Sequence, residues 1–263
     1  MDKLLVFIVG AVIGSFLNVC IYRIPKRQSI VRPPSHCPHC GKRLRWYHNI
    51  PVLSYIALRA RCAFCGKRIS ARYPLVELVT AALLTALFVV FGPEPKFFSY
   101  SIMTCALIAV TFIDLEIQEI PDEISLGGIV AGILFAAACP SVMDAPDRIR
   151  ALLGSIAGAA AGGGSIFILK TAGNLLFRKK IEELGIEGAM GDGDIKLMAM
   201  IGAFLGLKLA LLTFFMAPFF GVLPGIIAKF RKGAETIPYG PFLSMAALVA
   251  VFYGGRILSL FFF

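Results

Sequence analysis

The sequence predicts an all-α polytopic membrane protein of about eight transmembrane helices, with a small cytoplasmic four-cysteine module between the first and second helices. Three observations carry this. Of 263 residues, 58% are hydrophobic and 16% charged, and the mean hydropathy of +0.81 is too high for a water-soluble surface. The apolar residues fall in runs that approach the roughly 20 residues needed to cross a hydrocarbon core of about 30 Å as a helix. One polar interval breaks the pattern: residues 23–73 hold four of the seven Cys and all three His.

The runs cover residues 4–22, 75–92, 97–113, 124–140, 151–170, 195–207, 209–228 and 239–263, and the division between the sixth and seventh falls near Gly206 to Lys208. The first run resembles a signal peptide in length. Its basic residues, Arg23, Lys26 and Arg27, follow the apolar stretch rather than precede it, which predicts a retained anchor. Short cytoplasmic loops collect Lys and Arg, so the amino terminus is expected outside and residues 23–74 inside. Eight crossings then leave only Lys3, Lys96, Arg148, Arg150, Lys208 and Arg256 on the outer side, out of 26 Lys and Arg. Topology thus accounts for the net charge of +10, which argues for contact with anionic lipid headgroups and against a nucleic-acid partner. Three regions follow: a first transmembrane helix (1–22), a cytoplasmic metal-binding module (23–74) and a membrane domain (75–263).

No acidic residue lies between Asp2 and Glu77. Within that interval Cys37-Pro-His-Cys40 and Cys62-Ala-Phe-Cys65 form two C-x-x-C pairs, each followed by Gly-Lys, and 21 residues separate them. This is zinc-ribbon spacing: paired thiolates turn onto one tetrahedral ion, and the Gly after each pair tolerates the bend. Disulfides fit poorly with a cytoplasmic location, and a redox C-x-x-C needs no second pair. Four thiolates close the coordination sphere, which predicts structural zinc on Cys37, Cys40, Cys62 and Cys65 in a module too small to build its own core. His36 and His39 read as spacers. Cys20, Cys105 and Cys139 read as small apolar fillers. In the fifth run Gly154, Gly158, Ala160, Gly162, Gly163 and Gly164 predict close helix packing; a flexible gate is the alternative.

The third run ends in Asp114-Leu-Glu-Ile-Gln-Glu-Ile-Pro121-Asp122, and the sixth begins at Gly191-Asp-Gly193-Asp194. Both junctions are expected at the cytoplasmic face, where two carboxylates 80 positions apart in sequence can meet if helices three and six are neighbours. Glu116, Glu119, Asp122, Glu123 and Asp192 are expected in solvated loops. Asp114 and Asp194 abut apolar helices, where a charge is costly and marks function. A carboxylate pair can hydrolyse a peptide, one member deprotonating water and the other donating a proton. No Ser/His or Cys/His arrangement competes, because all three His lie in the cysteine module. Helix dipoles suggest Asp194, at an amino terminus, as the base and Asp114, at a carboxyl terminus, as the acid.

With these residues in hand, the chain resembles the bacterial type IV prepilin peptidases, aspartyl membrane proteases with a G-x-G-D motif. The resemblance rests on Gly14-Ser-Phe-Leu-Asn18-Val with Arg23 and Pro25, the paired C-x-x-C, Ile69 to Glu77, Asp114 to Asp122, Gly191 to Leu197 and Pro238-Tyr-Gly240-Pro241-Phe242. It implies a multi-pass protein of the bacterial inner membrane with its active site at the cytoplasmic face. Such an enzyme cleaves the basic leader of prepilins and pseudopilins after Gly, for pili or type II secretion, and N-methylates the new amine from S-adenosylmethionine. Asp114 and Asp194 would be catalytic, with Gly191, Gly193, Pro238, Gly240 and Pro241 in substrate-facing loops. The loop with Pro238 and Pro241 cannot be regular helix throughout; it either holds substrate extended or starts a helix. Glu77, with Asn18 and Arg72, is the candidate for the cofactor or the new ammonium, although Glu77 can equally serve as an ordinary ion-pair partner of Arg72. No glycine-rich loop marks a soluble-type cofactor fold. Two other classes stay open: a non-enzymatic assembly factor of a pilus or secretion machine, which would tolerate Asp114→Asn, and a proton-coupled transporter, which would place its acids at the bilayer midplane. The oligomeric state has no signature.

Overall fold

The computed structural model describes residues 2–179, 188, 190–230 and 237–261, with side chains excluded for 223–230 and 261. Lys180, Arg231 and Lys232, part of the charge excess expected on the cytoplasmic side, and Phe262 and Phe263, the end of the eighth run, lie outside the described residues. Among these residues the fold is helical, with two isolated bridges, His36 to Arg43 and Arg61 to Arg68, in place of strands. Two compact units divide the chain, Met1–Phe97 and Phe98–Phe263.

In the first unit α1 (Lys3–Arg23) packs on α3 (Arg72–Phe91). The contact is made by backbone. A Cβ on Gly10 would stand 2.8 Å from Ala81 Cα, and one on Gly14 would stand 2.6 Å from Glu77 Cα. These two glycines, four apart, let the helix axes approach as closely as small-residue motifs do in membranes. Between the helices lie a 3-10 turn (Trp46–Asn49), the short α2 (Leu53–Ala57) and two cysteine knuckles. From residue 24 to 71 the buried residues are Cys37 and Cys62, so the module has no apolar core of its own.

The second unit comprises α4 (Pro95–Ile117, whose first turn lies in unit one), α5 (Asp122–Ala138), α6 (Arg148–Leu176), α7 (Asp192–Phe230) and α8 (Gly240–Phe261). Among the described residues six helices are long and apolar enough to cross a membrane by themselves, namely α1, α3, α4, α6, α7 and α8. At 17 residues α5 is about 25 Å long, just below that limit. As one straight rod, α7, with 39 residues, would run about 58 Å, nearly twice the hydrocarbon thickness. It is not straight. Gly206 has φ 72° and ψ 177°, a conformation open mainly to glycine, and it breaks the helix where the sixth and seventh runs divide. The contacts on either side show a reversal. Gly132 of α5 meets Ala203, Gly254 of α8 meets Leu209, and Gly221 meets Phe242 back at the start of α8. The chain therefore reverses at Gly206, and α5 together with the two halves of α7 brings the long helical segments to roughly the expected number.

The outgoing half of α7, residues 192–205, forms the centre of this unit: Leu197, Met198, Met200, Ile201, Ala203 and Phe204 are fully buried. Glycines make room for it. A Cβ on Gly158 would come within 2.2 Å of Gly202 O, and one on Gly162 within 2.4 Å of Met198 O. Ser155 Oγ donates to Ala203 O across the same interface at 2.7 Å. The small-residue run is thus a packing surface. A Cβ on Gly154 or Gly164 would meet nothing within 4 Å.

Candidate active site and metal centre

Asp114 sits in the last turn of α4, which stops because Gln118 takes a positive φ of 55°. Asp194 sits in the first turn of α7, after Gly191 and Gly193. Both side chains are buried, at 4% and 8% exposure, although each is a carboxylate at a helix end. The tertiary structure brings them together at one end of the unit. The Gly240 N–H, opening α8, donates to Asp114 Oδ2 at 2.9 Å. Gly191 donates its backbone N–H to Asp194, and the charge of Asp114 acts on Asp194.

Ile120 ties these pieces together. Its Cβ stands 2.8 Å from where Gly193 would carry a Cβ, and its Cδ1 stands 3.5 Å from the same point on Gly240. A Cβ on Gly240 would also lie 2.8 Å from Asp114 Oδ2, and one on Gly191 would lie 3.3 Å from Asp194 Oδ2. Gly240 and Gly191 let backbone reach the carboxylates, where a side chain would press on them, and Gly193 makes room for Ile120. Tyr239 completes the enclosure. Burial, together with the Asp194 charge, pushes its hydroxyl up to about 12.

Pro238 and Tyr239 lie outside helix, and Gly240 and Pro241 form the first turn of α8. A helix thus starts within this loop. Proline is tolerated there because the first-turn N–H has no intrahelical partner to lose. Asp122 and Asp192 stay in contact with solvent as expected, each paired at 2.5 Å, with Lys196 and Lys170 respectively. Ile120 and Tyr239 stood in the sequence only as members of the motifs at 114–122 and 238–242, and Lys170 had no part in the expected site. Lys170, a lone cation closing the apolar fifth run, carried the clearest signal.

Glu77, Asn18 and Arg72 belong to the first unit. Glu77 is 7% exposed and accepts the Val52 N–H at 2.8 Å and the Ser15 hydroxyl. Val52 holds φ at 61°, a strained value for a β-branched residue, and its N–H is the group aimed at Glu77. Asn18 Nδ2 donates to Tyr73 O at 3.0 Å and to Gly14 O at 3.3 Å, and its buried Oδ1 has no partner among the described residues. Arg72 lies over the Tyr73 ring, 5.4 Å from its centre.

The four cysteines converge. Their Sγ atoms all lie within 4.8 Å of one another, and Cys37 and Cys65 are 3.9 Å apart. A tetrahedral ion with metal–sulfur bonds of 2.3 Å needs sulfur pairs about 3.8 Å apart, so the cluster could hold such an ion. The two knuckles repeat each other. Cys37 N–H donates to Lys42 O and Gly41 N–H to Cys37 O, as Cys62 does to Lys67 and Gly66 to Cys62. Gly41 and Gly66 take φ of 69° and 71°, the bend expected of them. Hydrogen bonds from the Phe64 and Cys65 N–H groups hold the Cys62 thiol down to about 7. The Lys67 N–H lowers the Cys65 thiol, but burial and the neighbouring thiols outweigh it and push Cys65 up to about 11. His36 is not in the cluster; its Nδ1 lies 3.2 Å from Pro34 O.

Comparison with known proteins agrees with this division. Residues 8–91 match the family model described as Bacterial Peptidase A24 N-terminal domain, and residues 101–226 match that of the Type IV leader peptidase family. A Myxococcus xanthus protein is 40% identical over 86% of this chain and 63% of its own length, so the chain spans less than two thirds of that relative. A Burkholderia pseudomallei protein is 34% identical, with 94% of this chain and 84% of its own covered. For one from Aeromonas hydrophila the values are 34%, 96% and 91%. All three are named prepilin leader peptidase/N-methyltransferase. No solved structure matches the chain.

Proposed function

This chain belongs to the type IV leader peptidase family, and on that premise we propose that it cleaves the basic leader of type IV prepilins and pseudopilins after Gly and then N-methylates the new amino terminus. The observation that carries the peptidase reading is the meeting of Asp114 and Asp194, both buried, at the junction of α4, α7 and α8. A buried carboxylate pair is costly to keep and has a direct use in peptide hydrolysis.

In that reaction one carboxylate takes a proton from water as the water oxygen attacks the scissile carbonyl carbon. The other, protonated, donates to the carbonyl oxygen. Collapse breaks the C–N bond and a proton passes to the leaving amine, leaving the leader as a carboxylate and the mature chain with a free amine. The carboxyl end of α4, which favours Asp114 as the acid, is opposed by the amino end of α8, which Gly240 sets against Asp114. Each aspartate thus has one backbone N–H and a helix amino end, and acid and base are roles of the coupled pair.

S-adenosylmethionine supplies the methyl group to the new amine. Glu77 and the Oδ1 of Asn18, which has no partner among the described residues, are acceptors suited to an ammonium, and Arg72 remains the third candidate. Cys37, Cys40, Cys62 and Cys65 would hold zinc, whose role is structural: four thiolates leave no open position. The site faces the cytoplasm of the bacterial inner membrane, where a prepilin presents its basic leader, and Tyr239 to Pro241 line the approach to the aspartates.

The test is cleavage of a purified prepilin by wild type, Asp114→Asn and Asp194→Asn, with the product weighed after S-adenosylmethionine is added. Both variants should fold and lose cleavage, and wild type should add one methyl group. Cleavage surviving either substitution would sink the dyad.

A further inference from the structure

We infer that α2 and the adjoining Trp46 turn form a foot that inserts its apolar side chains among the anionic phospholipid headgroups of the leaflet on the module's own side. The module is tethered at both ends by membrane-crossing helices, α1 ending at Arg23 and α3 beginning at Arg72. Its height is fixed by one bond. Val52 N–H donates to Glu77 Oε2, and Glu77 lies five residues into α3. Five residues of helix advance about 7.5 Å, so Leu53, the first residue of α2, sits near the depth of the second turn of α3. That is the bilayer border, not bulk water.

At this depth the module turns apolar side chains outward. Leu53 and Ile56, one helical turn apart on α2, are each 65% exposed, and Trp46 is 79% exposed. The 3-10 turn carrying Trp46 packs beside α2. Such exposure cannot be a frayed core, because this module buries little besides Cys37 and Cys62. Aromatic and aliphatic groups at the headgroup level are how interfacial helices bind a bilayer.

Charge selects the lipid. No acidic residue lies between Asp2 and Glu77, while Arg43, Arg45, Arg59 and Arg61 flank the foot and are exposed. Each basic side chain near an anionic surface contributes about 1 kcal/mol, decaying within the screening length. A basic substrate leader would be repelled by the same residues, which excludes it as the occupant of this face.

Trp46 is the single tryptophan of the chain and reports its own surroundings. The full-length protein is placed in nanodiscs of zwitterionic or anionic phospholipid, each with acyl chains brominated near the carboxyl end. In anionic discs Trp46 should lose about half its emission and shift to the blue, as expected for a ring at the headgroup boundary. Salt of about 1 M, where the screening length is about 3 Å, should restore much of that emission. The double variant Leu53→Glu, Ile56→Glu, checked for retained metal, should be quenched far less. Emission untouched by bromolipid but quenched by aqueous iodide would overturn the inference and give this face to a soluble partner. Equal quenching in both lipids would overturn the anionic selectivity. None of these readouts depends on peptidase activity.

Discussion

Gly240→Ala tests whether the placement of Asp114 governs cleavage. The added Cβ would stand 2.8 Å from Asp114 Oδ2 and 3.3 Å from Asp114 Cγ, where ordinary contact begins at 3.4 Å. The helix itself would not suffer, because alanine is a better helix former than glycine. The carboxylate must therefore yield, either by moving or by rotating off the Gly240 N–H. The gap must open by about 0.6 Å, and since misplacing a reacting group by about 1 Å can cost about 100-fold, kcat for cleavage should fall about tenfold or more. That corresponds to about 1.4 kcal/mol of barrier. KM should change little, and methylation of a pre-cleaved peptide should continue at the wild-type rate. The assay is steady-state cleavage of a prepilin in liposomes, with Gly127→Ala as control, since nothing lies within 4 Å of a Cβ there. Wild-type kcat in Gly240→Ala would refute the reasoning. Loss of methylation as well would mean that the substitution unfolds the protein rather than displacing one carboxylate.

Chelating the proposed zinc, or replacing Cys62 with Ser, should unfold the module, where Cys37 and Cys62, two of the proposed ligands, are the buried residues between 24 and 71. Structural zinc contributes about 10 kcal/mol or more to such folds, so trypsin should cut at Arg59, Arg61 and Lys67 only after chelation. Gly158→Ala puts a Cβ 2.2 Å from a backbone oxygen that cannot step aside. It should cost about 3 kcal/mol and lower the melting temperature in detergent, whereas Gly164→Ala, facing open space, should leave it unchanged or slightly raised. The folded-state pKa of Tyr239 is raised to about 12, above its ordinary value near 10, so this contribution to stability is complete below pH 10 and is lost as pH rises toward 12. Tyrosinate absorbance lost in Tyr239→Phe should therefore titrate near pH 12; titration near 10 would place the hydroxyl in water.

The parts legible in the sequence are those in which neighbouring residues carry the physics. The cysteine knuckles are local: each C-x-x-C-G-K closes on its own backbone, so spacing alone foretold both the thiol cluster and the bends at Gly41 and Gly66. The two aspartates were legible through cost, as acids abutting apolar helices. What surrounds them was not. Ile120 and Gly240 act through contacts with residues 73 and 126 positions away, and nothing in Ile120 itself distinguishes it from dozens of other apolar residues. The same applies to Gly10 and Gly14, whose four-residue spacing is visible in hindsight, but whose partners Ala81 and Glu77 follow only from how α1 crosses α3.

Gly206 shows where that boundary lies. In the sequence the division between the sixth and seventh runs falls near Gly206 to Lys208, and the helix breaks at Gly206. The sequence did not say that the shorter segment, 192–205, would be the most enclosed. A run of about 21 Å is too short to face lipid along a core of about 30 Å. Surrounded by α5, α6 and α8 it need not face lipid at all, and its amino end can then stop below the headgroups, at the level where α4 ends and α8 begins. The shortness that made this segment the hardest to delimit is thus the property that leaves Asp194 buried beside Asp114.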